Sequence, residues 1–164
     1  MASPWSINVR KSLIAPISQT DPASDQVWLD MDRIASVEVT SEQPGYPIES
    51  ALRGESRGWR AANPGTQIVR MIFDQPQTLR RIWLVFEDSE NARNQEFVLR
   101  WSRGQESSFR EIVRQPWNFS PGGSARENED YTIHLSEVGI LELIIVPDKS
   151  GSDIRASLRS FRVA

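Results

Sequence analysis

Few residues in this chain are equipped for bond-making chemistry. There is no cysteine, and His134 is the only histidine. Thiolate metal sites, disulfides and cysteine nucleophiles are therefore excluded, and a multi-histidine zinc site is impossible. A Ser-His-Asp triad would rest wholly on His134. That residue alternates with Ile133 and Leu135, so on a strand it points outward, away from the core. No serine sits in a strand-to-helix elbow. Carboxylate pairs such as Glu127 with Glu129, or Glu87 with Asp88, would suit glycoside hydrolysis if held roughly 5–9 Å apart. Acidic loop clusters are ordinarily solvated, and the hydrolase reading is set aside. Asp30 and Asp32 have the spacing of a calcium-loop fragment, but the required glycine and terminal glutamate are missing. "PGG" at 121–123 has no strand–helix context for phosphate. The chain reads as a non-enzyme.

Binding chemistry is better represented. Trp59 in "RGWRA" and Trp117 in "QPWNF" place an aromatic ring beside Arg and Asn. A ring of this kind stacks on the C–H face of a sugar while the polar groups read its hydroxyls. The competing reading is that both rings plug the end of a core. Arg57, Arg60 and Arg93 are fork-shaped donors for an anionic or polyhydroxyl ligand. They are equally suited to pairing with Glu55, Glu87, Asp88 or Glu90. Asn63 and Asn118, with Asn91 and Asn94, suit hydroxyl recognition or turn formation.

The elements that must hold these residues have period two. Val37 and Val39, then Val69, Met71 and Phe73, then Ile82, Leu84 and Phe86, each mark one face of a strand. So do Phe97, Leu99 and Trp101, the short "FREIV", Tyr131 to Leu135, and Leu141, Leu143 and Ile145. A last run has Ala156 and Leu158 in one phase and Phe161 and Val163 in the other, which predicts a bulge. Eight short strands punctuated by "DQP", "SPGGS", "EVG" and "PDKSGSD" argue a β-sandwich or barrel. If successive strands are antiparallel, connections 41–66, 87–94, 115–130 and 147–154 emerge at one end. The shorter 74–80, 102–108 and 136–139 emerge at the other. Long loops gathered at one end are the usual place for binding. At 164 residues and net charge -3, one domain is expected, with no nucleic-acid or membrane surface.

The stretches "SVEVTSEQPGYPIESALRG", "GWRA", "QIVRMIFDQPQTLRRIWLVFED" and "EFVLRWSRGQESSFREIVRQ" together resemble a discoidin domain. This is the coagulation-factor C-type member of the galactose-binding-like jelly rolls, and the likeness runs from about Ile34 to Ala164. It also extends to uncharacterised bacterial carbohydrate-binding-like proteins. The resemblance implies a non-enzymatic domain that binds sugars, lipid headgroups or proteins through loops at one end. It also implies that the Trp59 equivalent is usually buried. Many members hold a structural calcium through an Asp in a "DG" turn; the matching place here is Arg53-Gly54, and arginine cannot ligate calcium. Glu55 or backbone carbonyls are the remaining candidate ligands.

The expectation is therefore an all-β, eight-stranded antiparallel jelly-roll β-sandwich over residues 34–164, galactose-binding-domain-like. A lead-in of residues 1–33 packs Trp28 and Leu29 on it. The expected function is a non-catalytic module binding carbohydrate or another polar small ligand through Arg57, Trp59, Arg60, Asn63, Arg93, Trp117 and Asn118. The alternative is a protein–protein interaction or assembly domain without sugar binding. No cofactor is expected, with structural calcium left open. Nucleic-acid and membrane partners are not expected. With no signal peptide or transmembrane segment evident, the expected location is cytoplasmic.

Overall fold

The computed structural model describes residues 26–104 and 107–164. The first 25 residues of the expected lead-in lie outside them. From there a single turn, α1 (Met31–Ile34), is capped by Asp30, whose side chain accepts from the Asp32 amide. It leads into β1 (Ala35–Val39), and after a loop come α2 (Ile48–Arg53) and β2 (Trp59–Pro64). The remaining strands are β3 (Gln67–Glu87), β4 (Arg93–Ser102), β5 (Arg110–Phe119), β6 (Arg126–Val146), β7 (Arg155–Leu158) and β8 (Ser160–Val163).

The antiparallel all-β sandwich expected from the alternation is the one that forms. Its strands are counted differently. The apolar runs at 67–73 and 82–86 belong to one 21-residue strand, β3, and those at 131–135 and 141–145 to another, β6. The two lie antiparallel along their whole length. Their register slips three times between Ile72 and Arg81, around Pro76, which cannot donate to a ladder. The slips move the core-facing phase from odd residues (Val69, Met71, Phe73) to even ones (Ile82, Leu84, Phe86), while Trp83 and Val85 between these are buried outside that core. Before them β3 pairs with β1; after them it pairs with β8. The long pair thus runs through one six-stranded sheet, a five-stranded path β1-β3-β6-β4-β5 to which β8 is added along the second half of β3.

The predicted bulge in the last run is a change of partner. Residues 155–158 pair with β2 in a separate two-stranded ribbon, and residues 160–163 pair with β3. Arg159 between them is the step that shifts the phase. The core gathers the inward residues of the six-stranded sheet: Met71, Leu84, Phe86, Phe97, Leu99, Leu143 and Phe161 are each 0% exposed. Trp28 stacks on Trp83 at 6.0 Å, and the Leu29 amide donates to the Val163 carbonyl at 2.8 Å. No helix among the described residues is long and apolar enough to cross a membrane.

Candidate functional site

All four long connections meet at one end of the sandwich. They enclose an open cavity of about 820 Å³ lined from the 40–58 segment, the 88–91 turn, Ala125 with Arg126, and residues 153–159. A second depression of about 640 Å³ adjoins it across Gln43 and Arg57. The cavity owes its shape to the β2–β7 ribbon. Gly58 enters this ribbon at φ +67°, and a Cβ there would stand 2.6 Å from the Leu158 carbonyl oxygen. Only glycine lets the loop pass so close with that backbone.

Alternation along β2 then sorts its side chains. Trp59 pairs opposite Leu158 and turns inward; it is 1% exposed, and its Nε1 donates to the Ser41 carbonyl at 3.1 Å. The ring belongs to the core and forms cavity floor, so the stacking role expected of Trp59 is corrected. Arg60, the next residue, turns outward. Its guanidinium carbon lies 4.2 Å from the Tyr46 ring centroid, a cation–π contact that holds the group without using its N–H donors. Arg57 also lines the cavity and donates to the Gly45 carbonyl.

The opposite wall is a turn tied to the interior. Asp88 Oδ1 accepts from the amides of Glu90 and Asn91, and its Oδ2 accepts from Arg93 Nε at 2.7 Å. Burial opposes ionisation of Asp88, but the two amides and the Arg93 guanidinium outweigh it and hold the carboxyl below its usual range. Arg93 itself is 4% exposed. It also donates to Gln95 Oε1 and the Pro147 carbonyl, and lies over Phe119. It cannot reach a ligand in this position, and its expected binding role is corrected to that of a positioning residue for the 88–91 turn. Behind it Gln95 Nε2 donates to Glu127 Oε1. Glu127 is 0% exposed, and burial, then the neighbouring Glu129, push its carboxyl up to about 9.

Three expected ligand residues lie elsewhere. Trp117 and Asn118 were assigned to a loop but sit on β5, which extends to Phe119 because an edge strand tolerates Pro116. Trp117 turns half-buried toward Phe119, 6.4 Å away, and Asn118 pairs with Asn94. Asn63 is at the far end of β2, where its carbonyl accepts from Gln67. None of the three lines the cavity. Instead the structure adds Arg155, Arg126 and Arg159. The alternation of Arg155 and Ser157 with buried Ala156 and Leu158 carried a signal for the first of these.

At the Arg53-Gly54 turn two backbone carbonyls are engaged by arginines. The Arg53 carbonyl accepts from Arg162 Nη1, and the Glu55 carbonyl from Arg159 Nη1. No group of three or more acidic or histidine side chains suited to a metal occurs among the described residues.

No protein-family model matches the chain, and no curated protein matches it. Solved structures do. The family 32 carbohydrate-binding module of Clostridium perfringens NanJ, solved with galactose, has a TM-score of 0.59 at 13% identity, covering 79% of this chain and 92% of its own. The family 32 module of AlyQ, solved with 4,5-unsaturated mannuronic acid, has 0.60 at 15%, covering 85% and 98%. A pectin-binding carbohydrate-binding module has 0.58 at 13%, covering 80% and 90%. The fold of this chain is the galactose-binding-like β-sandwich of these family 32 modules.

Proposed function

We propose that this chain is a non-catalytic carbohydrate-binding module whose glycan sits in the cavity at the long-loop end. One observation carries the reading. That cavity is walled by outward guanidinium, amide and carboxylate groups on a ribbon and a turn that are both fixed from behind. Such a wall reads hydroxyls by hydrogen bonds at small ordering cost. The kinship of fold with modules solved bound to sugars supports it. The Glu87 carboxylate is engaged by Arg126, Asp88 by Arg93, and Glu127 is sealed in the interior. None of these is placed as an acid–base pair across the cavity.

An assembly role is less well supported. Val27 is the one large apolar side chain that is strongly exposed among the described residues. The outer face of the five-stranded sheet carries an ionic row instead, Glu38 to Arg70 to Glu142 to Arg100. A docking face of several hundred Å² would need a contiguous apolar patch.

The test is a glycan array probed with the purified chain beside an Arg60→Ala/Asn91→Ala variant of unchanged thermal stability. Binding by the wild type that the variant loses supports the reading. A folded wild type that binds no glycan on a broad array refutes it.

A further inference from the structure

The cavity contains charges that the fold does not use. Among its acids, Glu87 is held by Arg126 and Asp88 by Arg93. Among its cations, Arg159 donates to the Glu55 carbonyl and lies 3.9 Å from Glu87. Arg60 and Arg155 differ. Neither has a carboxylate within ion-pair distance among the described residues. Both are exposed and line the cavity from the β2–β7 ribbon, Arg60 opposite Ser157 and Arg155 opposite Pro64 across a slip of register. Two like charges lining one cavity repel in the free protein, and no acid of the ribbon relieves them. Arg57 adds a third guanidinium lining the cavity, bound among the described residues to the Gly45 carbonyl.

The same cavity lacks what a neutral sugar most often uses. Its tryptophan, Trp59, is turned into the core, and the nearby Tyr46 is covered by Arg60. Affinity must then come from charge-assisted hydrogen bonds more than from ring stacking. The two cavity acids without a salt-bridge partner among the described residues, Glu90 and Asp153, sit on the connecting loops, with carboxylates able to accept from hydroxyls.

Resting on the carbohydrate reading above, we propose that the glycan is acidic, with its carboxylate or sulfate held by Arg60 and Arg155 on the ribbon and its hydroxyls read from the loops. Arg60 is the selectivity residue. It is pre-oriented by Tyr46, so less freedom is lost when its fork closes on an anion.

Titration calorimetry of the whole chain with three probes tests this: an oligogalacturonate, the neutral galacto-oligosaccharide of equal length, and a sulfated galactan fragment. The expected result is that an acidic probe binds at least about tenfold tighter than the neutral one, the scale of one charge-assisted hydrogen bond. Its affinity should fall severalfold as salt shortens the screening length. Arg60→Gln should remove that preference by about tenfold, while Arg33→Gln, on α1 away from the cavity, leaves it intact. The two acidic arms separate carboxylate from sulfate as the anion. Equal affinity for neutral and acidic probes, or binding indifferent to salt, overturns this inference and leaves the carbohydrate reading standing. Binding of no probe here and no glycan on the array overturns both.

Discussion

Replacing Glu127 by glutamine should stabilise this protein, by an amount that grows with pH. The Glu127 carboxyl is fully buried. Oε1 accepts from Gln95, whereas Oε2 meets no donor, and Glu129 lies within hydrogen-bonding reach. The Glu129 carboxylate is itself held by the Tyr131 hydroxyl at 3.0 Å. Burial first, and Glu129 second, raise the Glu127 carboxyl from its ordinary 4.5 to about 9, against a smaller opposing pull from Gln95 and Arg93. Protonated Glu127 supplies the missing donor toward Glu129. The folded state therefore binds this proton from about pH 4.5 to about pH 9, and the unfolded chain does not. Stability is greatest below the lower value, falls through that window, and ceases to depend on this group above the upper one. At pH 7 the proton taken up on folding opposes stability by about 3 kcal/mol, from some 2.5 pH units at 1.36 kcal/mol each. Glutamine keeps an acceptor for Gln95, presents a permanent N–H to Glu129, and needs no proton. Urea unfolding followed by tryptophan fluorescence should show the two proteins close in stability near about pH 5. By pH 7 the Glu127→Gln variant should lead by about 2–3 kcal/mol, or roughly 5–10 °C in Tm. Parallel pH profiles would mean that Glu127 is ionised in the folded protein. A variant less stable than the wild type at pH 7 would refute the burial argument outright.

The other predictions concern the walls of the cavity. Arg93→Leu strands the Asp88 carboxylate and should cost about 3–5 kcal/mol, and amide exchange should show the 88–91 turn losing protection more than β3 does. The Gly58→Ala variant puts a Cβ against the Leu158 carbonyl at positive φ and should lose at least about 1–3 kcal/mol. Its thermal melt is the readout, with Gly122→Ala, which meets no neighbour, reporting the cost of positive φ alone. Because Arg159 and Arg162 occupy the carbonyls at the Arg53-Gly54 turn, millimolar calcium or a chelator should leave Tm unmoved. A calcium-dependent rise would overturn that expectation.

Alternation of apolar and polar residues along the chain made the sandwich legible, because a buried strand face records itself residue by residue. It exposed the phase change at 158–161 between β7 and β8, whereas the one at 73–82 reads as a turn between two strands that are in fact joined as β3. The long loops could be placed at one end because antiparallel succession dictates which connections share an end. Partner choice was not legible. Nothing local says that Leu158 pairs with Trp59 while Phe161 pairs with Leu84, since both are apolar residues on short strands. Side-chain direction in the loops was equally hidden. Trp59 and Arg60 are adjacent, and which of them turns outward depended on the ribbon that "RGWRA" forms with β7, a pairing of residues about a hundred positions apart. Arg93 carried a binding residue's chemistry, but only the packing of Asp88, Gln95 and Phe119 around it made it an internal strut. Composition and periodicity fix which residues must be inside. Long-range pairing decides which of the remaining polar groups are used up by the fold and which, such as Arg60 and Arg155, have no carboxylate partner among the described residues.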